Sequence, residues 1–143
     1  MNSYIDEVLG LLSPTQGPGN IFLWKGSLNV SFNIMLENTA DLHIVDIHFI
    51  REAAGNAPSY VNKAVEFVRR DMLLRPEFYG ITAEQAAEYA ELDLLGAPEF
   101  NFYEDNEWYI KFAEGIFPIC NPYGLIVLFH GVAPVGVEDM SDN

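Results

Sequence analysis

Phe100 and Phe102 alternate with Asn101 and Tyr103, and after Glu104-Asp105-Asn106 the alternation resumes. Trp108, Ile110 and Phe112 then share one parity, with Tyr109 and Lys111 on the other. A side-chain period of two, interrupted by turn formers, predicts a β-hairpin with one strongly apolar face. A lone hairpin is marginal in water, so that face has to be covered by other elements. Further on, Asn121-Pro122-Tyr123-Gly124 puts Asn, Pro and Gly at the first, second and fourth positions of a type I turn. It would join a strand over Ile116–Cys120 to one over Leu125–Phe129. The second of these is apolar without alternation, as in a strand covered on both faces. The stretch Glu99–Gly131 therefore reads as the centre of a sheet.

The rest of the chain is arranged around it. Ser3 is placed to cap a short helix over Tyr4–Leu12, with Ile5, Val8, Leu9 and Leu12 at helical spacing. Pro14 and Gly17-Pro18-Gly19 end it. Ile21–Trp24 reads as a strand, Lys25-Gly26-Ser27 as a turn, and Leu28–Leu36 as a strand with one wet face. Leu42–Ile50 is expected to be a further strand, bulged near Ile44 or buried on both sides. Glu52–Asn56 is a loop, and a helix capped by Asn56 or Ser59 runs to Leu74, stopped by Arg75-Pro76. Thr82 with Gln85 makes a capping box for a helix ending near Leu95, with a small buried face of alanines. Residues 132–143 read as a frayed acidic tail. The expectation is a single α+β domain over residues 1–143, with a mostly antiparallel sheet of about five or six strands and three helices, in the order α-β-β-β-α-α-β-β-β-β.

Charge narrows the possible partners. The chain has 143 residues, 21 acids against 7 bases, and a formal net charge of −14. Such a chain repels nucleic acid phosphates and anionic lipid surfaces, and attracts basic proteins. From Pro76 to Ile110 there are nine acids and no Lys or Arg. No apolar run reaches the roughly 18 residues of a membrane span. No basic region precedes the first apolar residues, which argues against a signal peptide. A lone cysteine excludes an internal disulfide and a multi-thiolate zinc site. The default expectation from these features is a cytoplasmic location.

Catalytic signatures are missing. Gly17-Pro18-Gly19 is no phosphate loop, because no Lys-Ser/Thr follows it. Nothing calls for a cofactor or metal. If Asp41–Ile50 were a strand, Asp46 and His48 would share a face and could hold a metal or orient an imidazole. Two ligands do not make a site. Cys120 with His130 or His48 could form a nucleophile pair, but a free cysteine is most often a core residue. A small enzyme or ligand-binding domain using Asp46, His48, His130 and Cys120 is the rival to a binding protein.

Acids and aromatics interleave more suggestively. Glu84, Glu88 and Glu91 form a stripe on the third helix. Glu104, Asp105 and Glu107 surround the hairpin turn, and Tyr103 and Tyr109 lie on the parity opposite to Phe102 and Trp108. All eight are the candidate contacts to a basic protein, with the tyrosines as anchors. Small size, strong acidity, an α+β core and the missing catalytic motifs together resemble bacterial toxin-immunity proteins. That resemblance implies a non-enzymatic inhibitor that neutralises a basic toxin, such as a nuclease, over or beside its active site. A phage-type inhibitor that mimics DNA by the spacing of its carboxylates is a related reading, and an adaptor subunit kept soluble by its charge is a third.

Overall fold

The computed structural model describes residues 2–140. Four strands come first: β1 (Tyr4–Asp6), β2 (Gly10–Gln16), β3 (Ile21–Ser27) and β4 (Ser31–Glu37). Three helices follow: α1 (Ile47–Gly55), α2 (Ala57–Leu74) and α3 (Ala83–Tyr89). Four more strands follow among the described residues: β5 (Leu95–Phe102), β6 (Glu107–Gly115), β7 (Leu125–His130) and β8 (Ala133–Asp139). All eight strands form one sheet in sequence order. Neighbours are antiparallel except β4 and β5, which run parallel. A parallel pair cannot be closed by a tight turn, so the chain leaves the sheet after β4, forms the helices and returns.

The alternating residues place one sheet face under the helices. Phe32, Ile34, Leu36, Phe100, Phe102, Trp108, Ile110, Phe112, Leu125, Val127 and Phe129 are buried there. α1 and α2 press aromatic rings into this layer. Phe49 meets Phe102 and Trp108 edge-on, and Tyr60 meets Trp108 at 5.6 Å. Trp108 itself stacks on Phe129 at 4.4 Å. Tyr60, Ala64, Val68 and Met72 make the buried stripe of α2. α3 packs on α2, and Tyr89 at its end meets Phe117.

The hairpin over Phe100–Phe112 and the long helix ending at Leu74 are as the patterns predict. Several expectations are overturned. The sheet is mixed and has eight strands, more than five or six, and the order is four strands, three helices, four strands. Residues 4–12 form no helix: they are β1, a turn and the start of β2. Asp6 directs this turn. Its buried carboxylate accepts the N–H groups of Val8 and Leu9, each at 2.9 Å, and a bidentate pair from Arg51 on α1. Leu9 and Leu12 are buried as predicted, but Ile5 and Val8 face solvent.

The expected strand over Leu42–Ile50 is a 3-10 turn (Leu42–Ile44) leading into α1, which also takes in most of the expected loop Glu52–Asn56. Ile50, Ala53 and Ala54 are its buried side. Lys25-Gly26-Ser27 lies inside β3, and a Cβ on Gly26 would run into Phe32 and Leu12. The expected strand Ile116–Cys120 contains a 3-10 turn, Pro118–Cys120, and the Asn121–Pro122 bond is cis. Residues 133–139 are not a frayed tail: they pair with β7 as the eighth strand, while residues 141–143 lie outside the described residues. No helix among the described residues is long and apolar enough to cross a membrane.

Candidate functional site: an acidic groove on the open sheet face

The sheet face away from the helices has no covering layer among the described residues, and its composition follows from register. Met35 pairs with Leu23, Asn33 with Asn101, Asn101 with Tyr109, and Tyr109 with Leu128. Ile126 pairs with Glu138. Asn101 is only 4% exposed; it accepts a hydrogen bond from Asn33 at 3.1 Å and donates to the Glu99 carbonyl at 3.2 Å. This amide pair fixes the parallel seam between β4 and β5 on the open face.

A groove of about 750 Å³ runs over this face beside the seam. Met35, Tyr103, Tyr109, Ile126 and Leu128 give it an apolar and aromatic floor. Its rim is acidic from three directions. β4 supplies Glu37, the β5–β6 turn supplies Glu104, Asp105 and Glu107, and β8 supplies Glu138 and Asp139. Among the described residues no Lys or Arg lines it. Lys111, the next open-face residue along β6, lies opposite Glu99 and the floor residue Ile126, at the border of the groove, and is not itself part of the lining.

Local hydrogen bonds set the rim. A Glu104 carboxylate oxygen accepts the Glu37 backbone N–H at 3.1 Å, so the turn carboxylate is drawn across to the end of β4. Asp105 accepts the Glu107 N–H at 2.9 Å and shapes the turn. Away from the groove, Asp6 and Glu7 pair with Arg51, Glu66 with Arg69, and Asp71 with Arg75. The rings of Tyr103 and Tyr109 lie 5.9 Å apart, tilted at 45°. Partial burial of its ring, and then the neighbouring Tyr109, push the Tyr103 hydroxyl above its ordinary range, so it stays a neutral donor.

The eight candidate contacts divide. Tyr103, Glu104, Asp105, Glu107 and Tyr109 come together in the groove. Glu84, Glu88 and Glu91 do not. α3 ends at Tyr89, so Glu91 leaves the predicted helical stripe. Arg69 ends the helix by donating to the Ala90 and Leu92 carbonyls. Of the predicted alanine face only Ala86 is buried. α3 belongs to the helical layer near Ile116 and Phe117, past the far end of β6 from the acidic turn. β6 spans about 26 Å from the acidic turn to the end where Tyr89 of α3 packs. Register also adds residues that sequence alone did not single out, namely Glu37, Glu138 and Asp139. Strand order, which brings β4 and β8 to flank the hairpin, has no local signal.

The rival residues do not assemble. Asp46 is the cap of α1 and accepts the Phe49 N–H at 3.2 Å, so it shares no strand face with His48. His130 is the last residue of β7 and Cys120 lies in the 3-10 turn before its first, so the length of the strand, about 17 Å, stands between them. Cys120 is buried, and burial pushes its thiol up to about 11. No three His, Cys, Asp or Glu side chains among the described residues are grouped to share a metal. Comparison of the chain with protein-family models, with curated proteins and with solved structures finds no match.

Proposed function

We propose that the protein is a non-enzymatic inhibitor that binds a basic protein in the groove of its open sheet face. The observation that carries this reading is the lining itself: six carboxylates around an aromatic floor, with no Lys or Arg among the described residues that line it. Negative charge concentrated over a concave, low-dielectric surface attracts a basic partner and speeds its encounter. Met35, Tyr109, Ile126 and Leu128 then offer apolar area that excludes water once the partner is seated, and such area is what holds a complex together after steering. Of the candidate contacts, Tyr103, Glu104, Asp105, Glu107 and Tyr109 carry the binding, while the α3 acids act only through overall charge.

The biological form of this activity is immunity: neutralisation of a basic toxin, a nuclease being the chemistry most dependent on a cationic surface. The overall character of the chain supports that form. The test is affinity capture with the wild-type chain and with a variant carrying Glu104→Lys, Asp105→Lys and Glu107→Lys. A single basic protein should be recovered in equimolar amount at moderate salt. Its activity should fall with the wild-type chain and be spared by the variant. Equal recovery and equal suppression by the charge-reversed variant would overturn the proposal.

A further inference from the structure

We infer that the groove is an arginine reader: its occupant is an extended arginine-bearing segment of the basic partner, with guanidinium groups laid on Tyr103 and Tyr109 and forked onto the rim carboxylates. This rests on the reading of the groove as the site for a basic protein, and names the chemistry that would fill it.

The floor and the rim ask for different things of one side chain. The Tyr103 and Tyr109 rings lie 5.9 Å apart at 45°, and both line the groove. Both rings line the groove together with Glu104, Asp105 and Glu107, which the same hairpin carries. A lysine ammonium is a compact, strongly hydrated charge, which satisfies the rim and gains little from the floor. A guanidinium is planar and weakly hydrated. It stacks on an aromatic face and still directs paired N–H groups at a carboxylate in its own plane. Only the second group uses both halves of the site.

The hydrogen bonds of the rim suit that task. Glu104 is anchored by one oxygen to the Glu37 N–H, and Asp105 by one oxygen to the Glu107 N–H, so each carboxylate is oriented before any partner arrives. Held carboxylates select for a donor of fixed geometry. The volume, about 750 Å³, exceeds a single side chain and matches a short run of residues. The acids reach the groove from β4, from the β5–β6 turn and from β8, so cations spaced along an extended segment can each meet one.

The experiment compares two octapeptides of equal charge, one alternating arginine with glycine and the other lysine with glycine, titrated by calorimetry into the full chain at low salt. The arginine peptide should bind about tenfold more tightly. In the double variant Tyr103→Leu, Tyr109→Leu that preference should vanish, while the lysine peptide binds as before. Equal affinities in the wild type, or an arginine preference that survives the leucine variant, would overturn the arginine reading and leave the basic-partner proposal standing. If neither peptide binds, both fall. Circular dichroism of the leucine variant, matching the wild type, separates loss of the floor from loss of the fold.

Discussion

Tyr109 and Trp108 are adjacent in β6 and serve opposite faces of the sheet. Trp108 is buried beneath α1 and α2, stacked on Phe129 at 4.4 Å, while Tyr109 sits in the open groove 5.9 Å from Tyr103. The period of two along the strand thus divides one aromatic run into a core set and a contact set. Truncating each should separate stability from binding. Trp108→Ala should cost about 3–5 kcal/mol, the range for a large aromatic removed from a packed core. Tyr109→Ala should cost about 1 kcal/mol or less and weaken binding of a basic partner. Urea unfolding of the two variants checks the contrast.

The Asp6–Arg51 pair ties the first hairpin to α1, with a contact of 2.7 Å and the Asp6 side chain fully buried. Arg51→Ala should destabilise the fold by about 3 kcal/mol or more, because it leaves a buried carboxylate without its cation. The hydrogen bond from Arg51 is the main influence pulling Asp6 down to about 2 from its ordinary 3.8. The folded state therefore binds a proton less readily than the unfolded chain. The resulting stabilisation is fully present above about pH 4 and is lost as pH falls toward 2. Asp6→Asn should flatten that part of the pH–stability curve, measured by urea midpoints between about pH 5 and pH 2.

Two glycines make a matched pair. Gly124 has φ +87°, and a Cβ there would strike the Phe112 carbonyl oxygen on the neighbouring strand. Gly55 ends α1 with open space around its missing Cβ. Gly124→Ala should lower the melting temperature by several degrees, corresponding to about 1–3 kcal/mol of backbone strain and displaced pairing. Gly55→Ala should leave it unchanged or slightly raised, since alanine restricts the unfolded chain at no steric cost. Thermal scans of both variants decide this.

Burial governs the lone thiol as well. Cys120 is shielded in its 3-10 turn, and its pKa is pushed up to about 11, so almost none is thiolate at neutral pH. Iodoacetamide should label it slowly in the native protein and rapidly in denaturant, followed by mass spectrometry. Fast native labelling would reopen the case for a nucleophile.

The sequence displays those parts of the fold that local pattern decides. The β5–β6 hairpin is legible because Phe100, Phe102, Trp108, Ile110 and Phe112 keep one parity on either side of a turn. α2 is legible because its buried residues recur at helical spacing. The first hairpin is not, because Ile5, Val8, Leu9 and Leu12 fit a helix equally well. What rejects the helix is an arginine 45 residues away that fixes the Asp6 carboxylate. α1 was hidden by a run with two competing periods, and its clearest signal was Asp46 as a cap. β8 is an edge strand with few buried side chains, so its composition resembles a tail. The groove is half legible: the hairpin acids and tyrosines can be found in the sequence, but their companions on β4 and β8 are brought in by strand order alone.

The central claim is that the groove, and not the charge of the whole chain, binds the basic partner. It is tested most directly by comparing two charge reversals, Glu104→Lys with Asp105→Lys and Glu84→Lys with Glu88→Lys, in calorimetric titrations with the arginine octapeptide. Both pairs change net charge equally. The account predicts that the groove pair abolishes measurable binding and that the α3 pair, which lies outside the groove lining, weakens it by no more than about threefold. Equal losses for the two pairs would mean that binding follows overall charge, and would contradict the account.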